Sequence, residues 1–344
     1  MPEAGDDLAV LRSRVDRELD EFVGSEVEAL LAVDEELAPL GAALRSVTSH
    51  GKRLRSAFCY WGWRGAGQPD SGAMVRAAAS MELVHAAAVV HDDLIDDSGL
   101  RHGLPTAHVV LRDVLAGRPR PATRARSLAM LCGDLLMSWA GQLFATSGLP
   151  AAYLAQARAP WSVLARELIA GEALEILHTA GGHEVRRSLK VIRYKTAKYT
   201  VEHPLHIGAA LAGADQGLRA VFSDYGLPLG EAFQLRDDVI GLFGEPATTG
   251  KANTDDITGA RPTALVALAH EAASPAERRE LDALLGRASL SDAQLRRVRS
   301  LVEGTGARGR VEDMITQRVA AATGALRGAG LCPASRLALT RLAG

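Results

Sequence analysis

Residues 81–108 read MELVHAAAVVHDDLIDDSGLRHGLPTAH, an apolar run that ends in a cluster of carboxylates. Asp92, Asp93, Asp96 and Asp97 all fall within one and a half helical turns of each other. On a helix, positions i and i+4 share a face, so Asp92 should pair with Asp96 and Asp93 with Asp97. Like charges so placed repel and cost stability unless something cationic sits between them. A solvated acidic face is the plain alternative, because charge runs usually face water. Two features favour a metal instead. The apolar lead-in buries the helix as far as the first Asp, and the basic Arg101 follows shortly after.

Composition bounds the rest. At 344 residues, length alone would favour about two domains. With 47% hydrophobic and 23% charged residues, the chain reads as an ordinary soluble globule with a large core. A net charge of −2 gives no general attraction for nucleic acid or a membrane surface. Only five of the basic residues are lysines, which makes each one worth inspecting. Cys59, Cys132 and Cys332 are odd in number and far apart, which fits reduced, buried thiols in a cytoplasm. The acidic N-terminus has no secretory signal, and no run reaches the ~18 apolar residues of a membrane span.

Outward from the aspartates, the chain reads as helix after helix. Leu8, Leu11, Val15, Leu19, Phe22 and Val23 recur at helical spacing within a helix over 8–33. Further helices are expected over 35–47, 52–63, 71–97 (with Ser71 as N-cap), 122–145, 151–178, 184–211 and 218–243. The remainder is read as helices over 264–273, 276–285, 291–303, 308–326 and beyond Pro333. No strand alternation, internal repeat or interdomain linker is visible, so the reading is one all-α domain spanning 1–344. The longest irregular segment, 243–262, draws attention because long loops are usually functional.

A second Asp pair, Asp237 and Asp238, stands just before that loop, and Lys251 stands within it, before Asp255 and Asp256. A phosphate-binding P-loop fails there: the glycine spacing is one residue too long, and Ala252 follows the lysine. Two Asp-bearing helices facing each other across a bundle could hold magnesium, which takes a few carboxylates plus substrate phosphate oxygens. Lys52, Arg55, Arg101, Lys195 and Lys251 would add positive charge, whereas Lys190 and Lys198 read as ordinary surface residues. The layout suits magnesium-dependent diphosphate chemistry on a lipid-like substrate. His178 and His183 are left as loop or surface residues.

Five motifs in order resemble a trans-isoprenyl diphosphate synthase (polyprenyl synthetase) over nearly the whole chain. They are the GKRLR segment at 51–55, Asp92-Asp93-Leu94-Ile95-Asp96 (DDxxD), Lys195-Thr196, the FQLRDD segment at 233–238, and Thr249-Gly250-Lys251. The resemblance implies an isoprenoid-synthase helical bundle with a central cavity, condensing isopentenyl diphosphate with dimethylallyl, geranyl or farnesyl diphosphate. It implies Asp92, Asp93, Asp96 and Asp237 as ligands of Mg2+, in a set of three ions held with the diphosphate. Arg101, Lys195, Thr196, Gln234 and Lys251 would contact the allylic diphosphate, while Lys52, Arg55 and His85 would bind isopentenyl diphosphate. A homodimer in the cytoplasm, with no stable membrane insertion and no nucleic acid partner, completes the expectation.

Three positions depart from the family pattern. His102 stands where a second arginine is usual, which makes isopentenyl diphosphate binding weaker or pH-dependent. Gly241 replaces the last Asp of the second motif, and Gly51 is single where a pair is common. Product length is read from the helix before Asp92. Ala88 and Ala87 are small where an aromatic would stop growth at the farnesyl stage, and Val84 and Met81 could form a floor. Geranylgeranyl diphosphate is the expected product, with longer chains as the competitor. Two other readings stay open: a class I terpene cyclase, whose second motif resembles DDVIGLFGE at 237–245, and a non-catalytic partner subunit. A cyclase leaves GKRLR, His85 and Lys251 unexplained.

Overall fold

The computed structural model describes residues 4–101, 103–179, 181–244 and 255–344. His102, Thr249, Gly250 and Lys251 therefore lie outside the described residues. The contacts divide the chain into two compact units. The first comprises Met1–Arg158, Pro204–Ala214 and Leu331–Leu339. The second comprises Ala159–His203, Asp215–Gly330 and Thr340–Gly344.

The first unit contains α1 (Ala4–Leu31), α2 (Ala38–Thr48), α3 (Leu54–Gly65), α4 (Gly72–Ile95), α5 (Ala107–Val114) and α6 (Pro121–Ala145). The start of α7 (Ala151–His178), most of α9 (His203–Leu211) and most of α16 (Pro333–Leu342) complete it. The apolar stripe of α1 is buried at Leu11, Val15, Leu19, Phe22 and Val23, as its spacing requires. Ser71 caps α4, its hydroxyl accepting from the Met74 amide at 3.4 Å. Helices α3 and α9 cross with almost no side chain between them. A Cβ on Gly62 would collide with the Leu205 backbone, and one on Gly208 with the Cys59 carbonyl.

Two expectations fail here. The helix read as running to residue 97 stops at Ile95, and Asp97 turns left-handed at φ 54°. Asp97 thereby leaves the face it should have shared with Asp93 and ion-pairs with Arg126 at 2.6 Å. Short strands β1 (Leu100–Arg101) and β2 (Leu104–Pro105) also pair antiparallel where no strand was expected. Two-residue strands are too short to leave an alternation in the sequence.

The second unit holds the rest of α7, α8 (Val185–Val191), α10 (Gln216–Phe243) and α11 (Asp255–Thr258). It also holds α12 (Ala264–Ala272), α13 (Pro275–Leu284), α14 (Asp292–Gly304) and α15 (Ala307–Ala325). Its core gathers Leu235, Val239, Leu265, Leu281, Val298 and Val311 from five of these helices. The single helix expected over 184–211 is three pieces, because Ile192–Glu202 is π-helical. That widened stretch lies against glycines. A Cβ on Gly171 of α7 would strike the Lys195 backbone, one on Gly230 of α10 would strike Ala197, and one on Gly226 would lie 3.1 Å from Glu202 Cα.

Three further corrections concern single features. Cys332 is exposed, unlike Cys59 and Cys132. Burial raises the Cys132 thiol to about 12 and holds Cys59 in its protonated form as well, so both are inert. Lys198 is no free surface lysine: it pairs with Glu167 at 3.0 Å and Glu202 at 3.4 Å, in a partly buried network that His203 joins through Glu167. Finally, α4 and α6 are each long and apolar enough by composition to cross a membrane. They pack along one another, and 72% of the apolar window in α4 is buried. An interior helix needs the same composition for the opposite reason.

Candidate active site

In the first unit, the carboxylates gather at the end of α4. Asp92 and Asp93 occupy its last turn, and Asp96 is the C-cap, its amide donating to the Asp92 carbonyl at 2.9 Å. The β-hairpin then folds Arg101 back over them. Its Nε donates to Asp93 Oδ1 at 2.7 Å and its Nη2 to Asp92 Oδ2 at 2.6 Å. The turn is closed by Thr106, whose hydroxyl donates to the Ser98 carbonyl at 2.8 Å. Burial works against the Arg101 charge, but the two carboxylates outweigh it and hold its pKa above the ordinary arginine range. Asp93 is buried, whereas Asp92 and Asp96 are only half-buried.

The face beneath Asp92 is apolar. Ala88, one turn below, is half-buried, while Val84 and Met81 deeper in the helix are buried. Ala87, read with Ala88 as part of a length gauge, is fully buried in the packing of the first unit. Only Ala88 of this pair keeps part of its surface accessible.

The GKRLR segment opens α3. Lys52 is exposed and Arg55 half-buried, both on the N-terminal side of that helix, and His85 of α4 is half-buried. Arg53, which the sequence did not single out, holds the turn together. It is left-handed at φ 54° and buried, donating to Asp16 at 2.6 Å, to the Thr48 carbonyl at 2.7 Å and to the His50 carbonyl at 3.1 Å. Below it, buried Glu82 of α4 accepts from the Ser56 amide at 2.9 Å, which ties α3 to α4.

In the second unit, the π-helical stretch presents Lys195 and Thr196 toward α7 and α10. Lys195 Nζ lies 2.8 Å from Glu172 and also pairs with Glu175. Neither glutamate was foreseen. Their signal was two carboxylates one turn apart in the otherwise apolar stretch 168–177 of α7. Thr196 Oγ1 donates to Gln234 Oε1 at 2.7 Å, and Gln234 Nε2 donates to Asp238 Oδ1 at 2.9 Å. The lysine-threonine motif and the second aspartate motif are thus one hydrogen-bonded chain.

Asp237 is half-buried and Asp238 buried. Burial first, then Asp256 and Asp237, push the Asp238 carboxyl well above the usual range, against the lowering effect of its Gln234 hydrogen bond. Asp238 Oδ2 is buried with no hydrogen-bond partner among the described residues. Gly241, where the family pattern has its last Asp, faces another carboxylate. A Cβ there would lie 2.8 Å from Asp256 Oδ2, and Asp256 is held by Arg261 at 3.1 Å. Asp256 therefore brings negative charge back to the place that Gly241 leaves empty.

Hard oxygen donors and an orphaned buried carboxylate oxygen fit a divalent cation such as Mg2+, which takes a few carboxylates and keeps other positions for water or phosphate. The fixed cations Arg101 and Lys195 fit an anionic group beside it. Taken singly, each unit offers both components.

Comparison with known proteins agrees. The family model described as polyprenyl synthetase matches residues 38–302. The chain is 32% identical over 272 residues to a geranylfarnesyl diphosphate synthase of Aeropyrum pernix, covering 78% of this chain and 80% of that one. It is 32% identical over 243 residues to heptaprenyl diphosphate synthase component 2 of Geobacillus stearothermophilus, covering 69% of each. Its fold superposes on a crystal structure of geranylgeranyl pyrophosphate synthase from Corynebacterium glutamicum, solved with isoprenyl diphosphate and magnesium. There the TM-score is 0.93 and the identity 32%, with 97% of each chain covered.

Proposed function

The chain belongs to the polyprenyl synthetase family of trans-prenyltransferases, and from that premise we propose that it extends an allylic diphosphate with isopentenyl diphosphate to geranylgeranyl diphosphate. One observation carries the substrate class. On α4, a half-buried Asp92 lies under the Arg101 guanidinium, and a small, partly accessible Ala88 sits one turn below it. That face offers a charged end to a diphosphate and an apolar run to a hydrocarbon tail.

Asp92, Asp93 and Asp96 of the first unit and Asp237 of the second are the proposed magnesium ligands, in a set of three ions. When bound, Mg2+ supplies positive charge against the negative charge that develops on departing pyrophosphate. Arg101, Lys195 and Lys251 add fixed positive charge to the same leaving group. The Thr196 hydroxyl donates a hydrogen bond to Gln234 Oε1, which leaves the Gln234 NH2 to donate to Asp238 and fixes the orientation of both side chains. Lys52, Arg55, His85 and His102 hold isopentenyl diphosphate, whose double bond attacks the allylic cation before a proton is lost. Apolar side chains along Ala88, Val84 and Met81 exclude the water that would otherwise capture that cation.

The working form is read as a homodimer in the cytoplasm. The relative named as a synthase component motivates a second reading, in which this chain works only beside another subunit. Purified protein incubated with labelled isopentenyl diphosphate, Mg2+ and each allylic primer in turn decides between them. Elongation to geranylgeranyl diphosphate by the chain alone supports the proposal. No elongation with any primer removes it, and a cyclic hydrocarbon points to a cyclase.

A further inference from the structure

His183 and His270 lie far outside the aspartate motifs. His183 closes the connection between α7 and α8, His270 stands in the last turn of α12, and Asp282 stands on α13. The two imidazole rings are tilted 46° to each other with centroids 4.7 Å apart. Asp282 Oδ1 lies 3.2 Å from His270 Nε2 and 3.8 Å from His183 Nε2. One ligand atom from each of the three side chains falls within 4.8 Å of the other two. Both histidines also line a surface cavity of about 380 Å³.

We propose that His183, His270 and Asp282 form a binding site for a divalent transition metal, with Zn2+ as the natural occupant. The donor set is two neutral nitrogens and one carboxylate oxygen, which suits Zn2+ and related ions rather than the oxygen-seeking Mg2+. Tetrahedral ligands at the usual zinc distances are separated by roughly 3.4 Å. Two of the three separations already bracket that value. Asp282 is about half exposed at its side chain, so it is free to rotate toward an ion. The cavity leaves room for water or an exogenous ligand in the remaining position.

The outer shell sets the strength. His183 Nδ1 is buried and has no hydrogen-bond partner among the described residues. Metal-bound imidazoles usually donate from that nitrogen to a carboxylate or carbonyl, and losing such a partner weakens metal binding by roughly 10–100-fold. The site is therefore weaker than a four-ligand structural zinc site and exchanges its ion. Its effect is mechanical: an ion there ties the residue-183 connection to α12 and α13, two residues before α8 begins. Helix α8 leads directly into the π-helical stretch that carries Lys195 and Thr196.

Full-length protein stripped with chelator and kept in excess Mg2+ is titrated with Zn2+ by calorimetry, and with Co2+ by visible absorption. The expected result is one zinc equivalent, a rise in melting temperature, and the absorption bands of low-coordinate, nitrogen-ligated Co2+. His183→Gln and His270→Gln should each abolish all three while prenyl transfer persists. Should either His variant fail to fold, Asp282→Asn at its half-exposed position decides in its place. Unchanged zinc stoichiometry and Co2+ spectrum in the folded variants, or zinc that excess Mg2+ displaces, overturns the proposal.

Discussion

At the end of α4 the buried Asp93 has its counter-charge built in, whereas at the end of α10 the buried Asp238 has carboxylates for neighbours. Arg101 returns on a hairpin to grip Asp93 and Asp92. Asp238 faces Asp256 and Asp237, and hydrogen bonds from the Gln234 side chain and the Ala264 backbone lower its burden only in part. Both Asp pairs also sit toward the C-terminal end of their helix, where the helix dipole disfavours negative charge. Similar motifs thus fold under opposite conditions. The first site has part of its negative charge offset by Arg101 before any ligand arrives, so its stability leans on that arginine. The second site keeps its carboxylates crowded together, a repulsion that a bound cation would relieve.

The largest effects test the shared function of the two regions. Asp92→Asn and Asp237→Asn should each lower kcat on the order of 10²–10³-fold, because both remove charge placed for the transition state. Steady-state prenyl transfer checks this, and a loss confined to one variant would break the symmetry of roles. Arg101→Ala separates the two regions by stability. It leaves the buried Asp93 without its charge partner and should cost about 3 kcal/mol in denaturant melts.

The π-helical stretch supplies a smaller test. Gly230→Ala puts a Cβ into the backbone at Ala197, two residues from Lys195. A loss of about 1–3 kcal/mol is expected, with kcat falling more than KM rises, since Lys195 and Thr196 shift against the leaving group. An unchanged kcat would show that the close packing serves the fold alone. Asp238→Asn has the opposite sign. Removing a buried carboxylate from between two others should raise the melting temperature without Mg2+ and shrink the further rise that Mg2+ gives. A fall in the metal-free melting temperature would contradict the contrast between the regions.

The mildest change leaves stability and turnover nearly intact. Ala88→Phe should shorten the product to the farnesyl stage, because Ala88 retains accessible surface beneath Asp92. Ala87→Phe should instead destabilise by about 1–3 kcal/mol, because Ala87 has no surface left to give. Product sizing beside thermal melts separates them.

Much of this was legible in the chain. Helical spacing located the long helices to within a few residues, and carboxylates after an apolar run marked both motif ends. What stayed hidden depends on backbone events with no periodic signature. Asp97 left the helix by one left-handed residue, so its pairing with Asp93 was misread. The hairpin that returns Arg101 is two residues per strand. Nothing in VIRYKTAKYTVE distinguishes a π-helix from an α-helix; only Gly171, Gly226 and Gly230, distant in sequence, disclose how closely the backbones approach there. Lys198 read as surface because its partner Glu167 lies 31 residues away on another helix, although Glu202 stands at the helical i+4 position. Likewise the gap at Gly241 gave no hint that Asp256 would face it.

The central claim is that these carboxylates serve magnesium-dependent prenyl transfer. Chelator-stripped protein is incubated with labelled isopentenyl diphosphate and farnesyl diphosphate, with and without Mg2+, and the dephosphorylated products are sized. Geranylgeranyl product with Mg2+, and none without it, is the predicted result. Elongation that proceeds equally in chelator, or no elongation when Mg2+ is present, would contradict the account.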